Sequence, residues 1–234
     1  MINLEKITAA FGSRTLLDSA ECTFTRGTLN ALVGRNGAGK SSLLRILAAI
    51  DSPKSGEVVV GGKPLHTIAA EERAKIISFV STQRVRVANL RCCDVVATGR
   101  APYTNWIGSI GKEDTEIINQ SLAAVGMESF ADRAIDTLSD GEFQRVMIAR
   151  ALAQQTPVIL LDEPTAFLDI PTRFEICRLL ADLAHNQGKT IIFSTHDIDA
   201  ALAVCDAVAI MEKCSISVHP TAEAAEILKV LFSL

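Results

Sequence analysis

Long apolar runs are missing from this sequence. No stretch approaches the roughly 20 apolar residues of a helix that spans a membrane. The first eleven residues, MINLEKITAAF, carry a charge pair where a signal peptide would have its apolar segment, so we expect no secretory signal. A net charge of −4 gives no general attraction to nucleic acid or to anionic lipid. We therefore expect no helical membrane span and no nucleic-acid partner.

Paired cysteines are missing as well. The six cysteines, at positions 22, 92, 93, 177, 205 and 214, form no C-x-x-C motif and keep no regular spacing to the four histidines. This pattern argues against a zinc site and against a disulfide framework, and it fits reduced thiols in the cytoplasm. We interpret the adjacent Cys92 and Cys93 as small apolar residues on a helix.

The chain does contain enough apolar sequence for a packed core. Hydrophobic residues make up 48% of its 234 residues and charged residues 21%, which is typical of a globular protein rather than a disordered one. This length fits one large domain or two small ones.

A glycine-rich loop between a predicted strand and a predicted helix is the central motif of the sequence. It fills the pattern G-x-x-x-x-G-K-[ST] with Gly34, Gly39, Lys40 and Ser41. Glycines let backbone N–H groups approach a phosphate, and the helix N-terminus adds unpaired donors and a favourable dipole. Lys40 would reach the β- and γ-phosphates, and the Ser41 hydroxyl would bind Mg²⁺. A chance glycine-rich turn is the alternative, but the flanking elements favour a nucleoside triphosphate site.

Two adjacent acids follow a second apolar run. Residues 158–161 close on Asp162 and Glu163, as a buried parallel strand does. At the end of that strand, Asp162 can hold Mg²⁺ through water opposite Ser41, and Glu163 comes to lie beside the γ-phosphate. Adjacent acids in a loop are often only solvated charges. Downstream of a phosphate-binding loop, we predict that they belong to the same site.

Strands and helices alternate over most of the chain. In the C-terminal half, the predicted elements are helix 171–186, strand 190–194, helix 197–203 and strand 207–211. Between about residues 84 and 146 the pattern is mainly helical. There, Ser139 and Glu142 have the spacing of a capping box at the start of a helix. The sequence thus predicts an α/β domain with a mainly helical insert.

Several motifs stand in the order and spacing of an ABC transporter ATPase, and the chain resembles that family from Phe11 to about residue 211. The motifs are residues 34–41, Gln83, 138–142, 158–164, 168–169 and 194–197. The segment 138–142 is the most specific, because other P-loop enzymes lack it. The resemblance implies one domain, 1–234, with the fold of an α/β P-loop NTPase. In that fold, a RecA-like core with an N-terminal antiparallel β subdomain carries an inserted α-helical subdomain, here 84–146 with the signature motif.

The resemblance also implies which residues bind the nucleotide. Phe11 would stack on the adenine. The full set of ATP-binding residues would be Phe11, Gly34, Asn36, Gly37, Ala38, Gly39, Lys40, Ser41 and Ser42. Mg²⁺ would be held by Ser41, Gln83 and Asp162.

The catalytic roles follow from the same resemblance. Glu163 would be the general base that orients the attacking water, and His196 the switch histidine that contacts the γ-phosphate, together with Lys40. Gln83 would touch Mg²⁺ and the water and relay motion to a membrane partner.

A second copy of the chain is implied by two further motifs. Asp169 would cross the dimer interface, and the signature would complete the site on the opposite subunit's ATP through Ser139, Asp140, Gly141 and Glu142. The commonest signature has glycine where Asp140 stands and glutamine where Glu142 stands. Asp140 adds a negative charge near a triphosphate unless it turns away to cap the helix, and Glu142 lacks an amide donor. We expect these departures to weaken the ATP sandwich without abolishing it.

The C-terminal region also departs from the family. After Met211 the sequence lacks the usual Asp-Gly hairpin and continues to an apolar helix, 222–231, which we expect to pack on the core or on a partner.

The segment 99–103, Gly-Arg-Ala-Pro-Tyr, followed by Trp106, is similar to a G-R-x-P-aromatic segment of importers for iron-siderophore, haem and vitamin B12. An ordinary exposed loop is the other interpretation of it. The resemblance implies an ATPase subunit that uses ATP and Mg²⁺ to power import of such a substrate. Its partners would be a second copy, integral-membrane permease subunits and, indirectly, a substrate-binding protein. It would lie on the cytoplasmic face of a bacterial cell membrane as a peripheral protein.

Three other functions were weighed against this one. An ATPase for an importer of free metal ions is the nearest alternative. A soluble ABC ATPase acting on DNA or ribosomes is weaker, because no second cassette, long coiled coil or basic tract is present. A non-hydrolysing binding module is weaker still, because Lys40, Asp162, Glu163 and His196 are all present.

Overall fold

The computed structural model describes residues 1–82, 89–104 and 108–232, and within them ten strands form two sheets with eight α-helices around them. The strands are β1 (Ile2–Phe11), β2 (Arg14–Phe24), β3 (Leu29–Gly34), β4 (Ser55–Val60), β5 (Lys63–Pro64), β6 (Ile77–Val80), β7 (Val158–Leu161), β8 (Thr190–Ser194), β9 (Ala207–Glu212) and β10 (Ser215–Pro220). The helices are α1 (Lys40–Leu47), α2 (Ala70–Arg73), α3 (Cys92–Ala97), α4 (Lys112–Ala124), α5 (Asp140–Ala153), α6 (Ile170–Gln187), α7 (Ile198–Val204) and α8 (Thr221–Phe232).

The smaller sheet is antiparallel, with the strand order β2-β1-β4-β5. Strands β1 and β2 are joined by the two residues Gly12 and Ser13, with Phe11 and Arg14 as the last pair of the ladder. Gly12 has a positive φ of 58°, which a tight hairpin turn uses and glycine adopts readily. The tip of this hairpin places Phe11 and Arg14 beside the glycine-rich loop of residues 34–41, which we call the phosphate loop.

The larger sheet has the order β10-β9-β3-β8-β7-β6. Its strands run parallel except for the edge strand β10. Every residue of β3, β7 and β8 is buried, as expected for parallel strands covered on both faces. The predicted bounds of β7 and β8 are confirmed. Since neighbouring parallel strands end at the same edge, the polar residues that follow β3, β7 and β8 meet there.

Two apolar clusters cover the faces of the larger sheet. One lies between the sheet and the helices α3 to α7, and it contains Ala31 and Val33 of β3. The other lies between the opposite face, α1 and the smaller sheet, and it contains Leu32. Neighbouring residues of one strand thus point into different clusters, which ties the two sheets together. Each fully buried leucine or isoleucine side chain stabilises the fold by about 1.5–3 kcal/mol.

The region predicted to be mainly helical contains α3, α4 and the first half of α5, and these helices pack on one another. Helix α5 continues to Ala153, past residue 146, which is the predicted end of the insert and not of the helix. Residues 84–88 lie outside the described residues, so the division at 84–146 stays a prediction. None of the helices that the structure describes is long and apolar enough to cross a bilayer.

The prediction for the C-terminal region was wrong in one respect, because a hairpin does follow Met211. Strands β9 and β10 pair with only Lys213 and Cys214 between them, and both have positive φ, 49° and 61°. Two residues of positive φ match the twist of a hairpin, whichever side chains they carry. The N–H of Asp18 donates to the Cys214 carbonyl (2.8 Å) and holds the turn against β2.

Helix α8 packs on the core, in agreement with one of the two alternatives for the apolar C-terminal segment. Ala224 and Leu228 are fully buried there, in the same cluster as α6 and α7. Cys92 is also buried and Cys93 half-buried on α3, as their interpretation as small apolar residues predicted.

Candidate ATP site

The phosphate loop joins the buried strand β3 to α1. Gly37 and Gly39 have φ values of 77° and 102°, a left-handed conformation that residues with a Cβ rarely adopt. Gly34 is packed against β9, where a Cβ would come within 2.8 Å of the Met211 carbonyl oxygen. Helix α1 has no acidic residue in its first turn, so none of its own side chains offsets the positive end of the helix dipole. The loop is therefore shaped to bind an anion.

Lys40 is the buried cation of this loop, with only 6% of its surface exposed. Its Nζ donates to the Gly34 carbonyl (3.0 Å) and lies 3.4 Å from His196 Nε2. Burial lowers the pKa of Lys40, and the nearby carboxylates Glu163 and Asp162 act in the opposite direction. A phosphate bound here would add the negative charge that a buried ammonium group needs.

Asp162 is held by hydroxyl groups from three elements. Its Oδ1 accepts hydrogen bonds from Ser41 Oγ (2.9 Å) and Ser194 Oγ (2.7 Å). Its Oδ2 accepts one from Thr82 Oγ1 (2.8 Å). Carboxylate and hydroxyl oxygens are the ligands that Mg²⁺ uses in proteins, so this cluster fits that ion in the chemistry of its donor atoms.

Glu163 stands beside this cluster in a constrained conformation. Its φ is 51°, and its N–H donates to Ser194 Oγ (2.8 Å). Burial raises the pKa of Glu163, while the charges of His196 and Lys40 act to lower it. Its Oε1 lies 2.7 Å from His196 Nε2, close enough for that nitrogen to donate to the carboxylate. A carboxylate with a raised pKa is the usual form of a general base.

These groups open onto a cavity of about 370 Å³. It is lined by Phe11, Arg14, Leu16, Asn36, Gly37, Gly39, Lys40, Ser41, Ser42, Glu163 and His196. Phe11 is 77% exposed, so its ring has a face available for a base to stack on. Ala38 lies in the same loop without lining the cavity, and its N–H donates to the Arg35 carbonyl (2.9 Å).

The residues predicted to form the signature lie at the start of α5. Ser139 Oγ accepts a hydrogen bond from the Glu142 N–H (3.3 Å), and Glu142 Oε2 accepts one from the Ser139 N–H (2.8 Å). The predicted capping box is therefore present. The Ser139 N–H lowers the pKa of Glu142 by stabilising its carboxylate. Asp140 is the first residue of the helix, where the helix dipole favours a negative charge.

Asp169 caps the neighbouring helix α6. Its Oδ1 accepts a hydrogen bond from the Thr172 N–H (3.0 Å). Hydrogen bonding to the Thr172 side chain and to this N–H lowers the pKa of Asp169. The two helix starts touch, because a Cβ on Gly141 would come within 2.8 Å of Thr172 Cγ2. Asp169 and the signature residues thus share one surface, and none of the described residues 139–142 lines the cavity.

Comparison with known proteins decides the family. Residues 17–166 match the sequence family described as ABC transporter. The chain is also 34% identical over 200 residues to the iron(3+)-hydroxamate import ATP-binding protein FhuC of Bacillus subtilis, covering 86% of this chain and 74% of FhuC. The chain belongs to the ABC transporter family.

Solved structures of this family have the same fold. An ABC transporter described as of the metal-chelate type, in an inward-facing conformation, aligns with a TM-score of 0.87 at 28% identity, over 100% of this chain and 89% of the other. A dimeric ATP-binding cassette in a post-hydrolysis state, bound to ADP and Pi, aligns with a TM-score of 0.79 at 28% identity, over 94% and 99% of the two chains. The predicted α/β P-loop fold is confirmed, and the chain is an ATP-hydrolysing ABC cassette.

Two features predicted for this ABC ATPase lie outside the described residues. They are Gln83, the predicted loop glutamine, and Trp106, which follows the importer-like segment. The role of Gln83 at Mg²⁺ and at the attacking water stays a prediction.

Four residues of the site received no role in the interpretation of the sequence, although Ser194 belongs to the motif 194–197. Thr82 and Ser194 bind Asp162, and Arg14 and Leu16 line the cavity. A signal existed for the first two, because each is a hydroxyl residue at or just after the end of a short apolar strand. For the other two, the only signal was their position just after Gly12 and Ser13, two residue types that are common in turns.

The segment 99–103 is not an ordinary exposed loop. Arg100 is buried, and its Nε donates to Asp114 Oδ1 at the start of α4 (2.8 Å). Its Nη1 donates to the Ala153 carbonyl at the end of α5 (2.9 Å). The Tyr103 ring lies 4.1 Å from the Arg100 guanidinium carbon, so the cation is covered by an aromatic ring. Arg100 therefore holds the start of α4 to the end of α5.

Proposed function

We propose that this ABC ATPase powers the import of a metal chelate, of the iron-siderophore, haem or cobalamin type, through a membrane permease. The hydroxamate-import function of the FhuC relative and the metal-chelate type of the aligned transporter support this substrate class. The segment 99–103 supports it as well. In this proposal, the chain works as a peripheral protein on the cytoplasmic face of the membrane. A substrate-binding protein would act on the permease and not on this chain.

One observation carries the proposed mechanism: the cavity contains a phosphate loop, a candidate base and oxygen ligands, but none of residues 139–142. The signature must then come from a second copy, and two ATP molecules would join two chains into an ATP-sandwich homodimer. The dimeric cassette with ADP and Pi supports this arrangement. ATP would favour the closed dimer because it binds more strongly to the dimer than to the separate chains.

Within each site, the residues have distinct tasks. Lys40 binds the β- and γ-phosphates, and Phe11 stacks on the adenine. Ser41 and Asp162 would hold Mg²⁺, which neutralises phosphate charge when bound. Glu163 orients the attacking water and accepts its proton, and His196 contacts the γ-phosphate. Hydrolysis breaks the bond between the β- and γ-phosphates, through which ATP joins the two chains. Charge repulsion between ADP and phosphate then favours opening of the dimer.

The test of this mechanism is Glu163→Gln, which keeps the size of the side chain and removes the base. We expect ATP binding to be retained and the turnover number to fall by about 10²- to 10⁴-fold, the usual contribution of a general base. Sedimentation velocity should then show a dimer with MgATP and a monomer with MgADP. Turnover equal to that of the unchanged chain would exclude Glu163 as the base, and a monomer at saturating MgATP would contradict the sandwich.

The substrate class needs a separate experiment. We expect a tagged chain to co-purify from its own cell membranes with a permease, and the reconstituted pair to transport an iron-siderophore complex, haem or cobalamin at the expense of ATP. The matched control is Lys40→Ala in the same permease. Transport of free metal ions with no transport of chelates would replace the proposal with the metal-ion importer.

A further inference from the structure

Ser194 is a fully buried serine at the carboxyl end of strand β8. Strands β7 and β8 run parallel and pair Leu161 with Phe193, so Asp162 and Ser194 are the next residues of the two strands. The two polar side chains therefore stand beside each other at the edge of the sheet where the ATP cavity lies. Burying a hydroxyl group is costly unless its hydrogen bonds are made, so the partners of Ser194 indicate why it is there.

The Ser194 hydroxyl group makes two hydrogen bonds of opposite direction. Its Oγ accepts the N–H of Glu163 (2.8 Å) and donates to Asp162 Oδ1 (2.7 Å). Because the oxygen is an acceptor toward Glu163, its single proton is left for the carboxylate of Asp162. One side chain thus connects the residue predicted to hold Mg²⁺ with the residue predicted to be the base.

The bond to Glu163 holds an unfavourable backbone conformation. The φ of Glu163 is 51°, in the left-handed region that residues with a Cβ avoid because the Cβ comes too close to the following carbonyl. The Glu163 carbonyl accepts the Ala166 N–H (3.1 Å), and the Glu163 N–H is held by Ser194. From this fixed backbone, the Glu163 side chain brings its Oε1 to 2.7 Å from His196 Nε2. The position of the carboxylate therefore depends on the contact with Ser194.

Two other hydroxyl groups allow a comparison. Thr82 Oγ1 donates to Asp162 Oδ2 (2.8 Å) and to the Asp162 carbonyl (3.2 Å), and Ser41 Oγ donates to Asp162 Oδ1 (2.9 Å). Of these three hydroxyl groups in the described part of the chain, that of Ser194 is the one that also binds Glu163. Removing it should therefore affect both carboxylates, whereas removing the Thr82 hydroxyl should affect Asp162 alone.

We propose that Ser194 is a positioning residue that aligns the base Glu163 with the carboxylate of Asp162 for ATP hydrolysis. This inference rests on the proposed role of Glu163 as the base. Ser194 is not among the described residues that line the cavity, so it acts through Glu163 and not on the nucleotide. Displacing a catalytic group by about 1 Å can cost ~100-fold in rate. Lys40 and Phe11 bind ATP without help from Ser194, so the rate should change while ATP affinity does not.

The kinetic experiment compares Ser194→Ala with Ser78→Ala. Ser78 is the matched control, because it is also a buried serine, and its Oγ donates to the Val158 carbonyl (3.4 Å) at the far end of β7. At saturating Mg²⁺, we expect Ser194→Ala to lower kcat by about 10- to 100-fold with the KM for ATP within about threefold of the parent. Ser78→Ala should keep both constants. Ser194→Cys, whose thiol is a weaker donor and acceptor, should give an intermediate kcat.

A measurement without nucleotide tests the contact itself. Hydrogen exchange of the Glu163 N–H, followed by NMR, should be at least about tenfold faster in Ser194→Ala than in the parent, because that N–H loses its acceptor. In Thr82→Val, which leaves the acceptor in place, the exchange should stay slow. Equal exchange in Ser194→Ala and the parent would overturn the inference, and so would a kcat of Ser194→Ala within about twofold of the parent.

A double variant separates positioning of the base from a general effect on the fold. If Ser194 acts through Glu163, adding Ser194→Ala to Glu163→Gln should lower turnover by less than about twofold further. A further fall of about tenfold would show that Ser194 acts independently of the base, against the inference. If Glu163→Gln slows turnover and Ser194→Ala does not, only the inference fails. If Glu163→Gln turns over like the parent, the proposed role of Glu163 fails and the inference with it.

Discussion

The nucleotide cavity and the surface formed by the signature and the start of α6 use similar residues in opposite ways. In the cavity, side chains from distant parts of the chain converge: three hydroxyl groups bind Asp162, and Lys40 is buried close to two carboxylates. On the surface, Ser139 and Asp169 bind backbone N–H groups of their own helices. One region is a site assembled within a single chain. The other has the properties of a partner surface.

The difference also shows how the surface is kept ready for a partner. A capping side chain stabilises a helix start by about 0.5–2 kcal/mol, so the caps at Ser139 and Asp169 fix the two helix starts before any partner arrives. A rigid surface loses less freedom on binding. We therefore expect this surface to act on the nucleotide of a second chain without rearranging itself.

The largest effect is expected from removing the cation of the cavity. Lys40→Ala deletes a buried ammonium group that would make several charge-assisted contacts, so we expect ATP affinity to fall by about 100-fold or more. Isothermal titration with MgATP measures it. Lys213→Ala is the control, because Lys213 is an exposed lysine at the β9–β10 turn. Unchanged MgATP affinity in Lys40→Ala would contradict the assignment of the cavity.

A smaller effect on function is expected at Ser139. There, one substitution can keep the helix cap while it changes the proposed contact with the partner's ATP. Aspartate is as good a capping residue as serine, so Ser139→Asp should keep the melting temperature while adding a negative charge toward the partner's triphosphate. In the Glu163→Gln background, we expect the MgATP dimer to weaken by about tenfold or more, because like charges oppose each other across the interface.

Ser139→Ala provides the comparison for that variant. Loss of the cap should lower the stability of the fold by about 1 kcal/mol, as thermal unfolding would show. A dimer of Ser139→Asp as stable as that of the parent would mean that the signature does not face a nucleotide.

Arg14 offers a weaker test of the cavity. Its Nη1 lies 3.2 Å from the position that a Cβ on Gly37 would take, so the guanidinium rests on the phosphate loop. We expect Arg14→Gln to weaken ATP binding by about threefold to tenfold, the effect of one contact worth ~1 kcal/mol. Arg35→Gln is the control, since Arg35 belongs to the same loop and does not line the cavity. Equal losses in both variants would point to the net charge of the loop rather than to a contact of Arg14.

The smallest expected effect is a shift in pH dependence. Because burial raises the pKa of Glu163, the carboxylate form needed in a base appears at higher pH than in an exposed glutamate, and the acid limb of kcat/KM should lie correspondingly higher. The charge of His196 acts to lower this pKa, so His196→Gln should raise it further. Carbon NMR titration of the carboxyl group without nucleotide measures it directly. A fall in the pKa of Glu163 in that variant would contradict the electrostatic account.

Local patterns predicted those parts of the molecule that depend on neighbouring residues. Strands β7 and β8 begin and end as expected, because each contains a continuous apolar run that ends at polar residues. The capping box of Ser139 and Glu142 formed because both partners lie within one helical turn. Phe11 and Lys40 line the same cavity, as the motifs indicated.

What could not be predicted depends on contacts between distant residues or on backbone conformation. Thr82 and Ser194 meet at Asp162 only because β6, β7 and β8 are neighbours in the sheet, an order that no local pattern contains. Arg100 is buried by groups of α4 and α5. The β9–β10 hairpin was missed because Lys213 and Cys214 adopt positive φ without being residues that favour it.

The most direct test of the account is a crosslink between the signature of one chain and the phosphate loop of another. One Glu163→Gln chain carries Ser139→Cys and a second carries Asn36→Cys, with the less buried Cys22, Cys93 and Cys214 changed to serine in both. With a short bifunctional thiol reagent and saturating MgATP, we predict a crosslinked heterodimer that does not form with MgADP. Absence of the crosslink at saturating MgATP, with hydrolysis blocked, would contradict the claim that two copies complete each other's site.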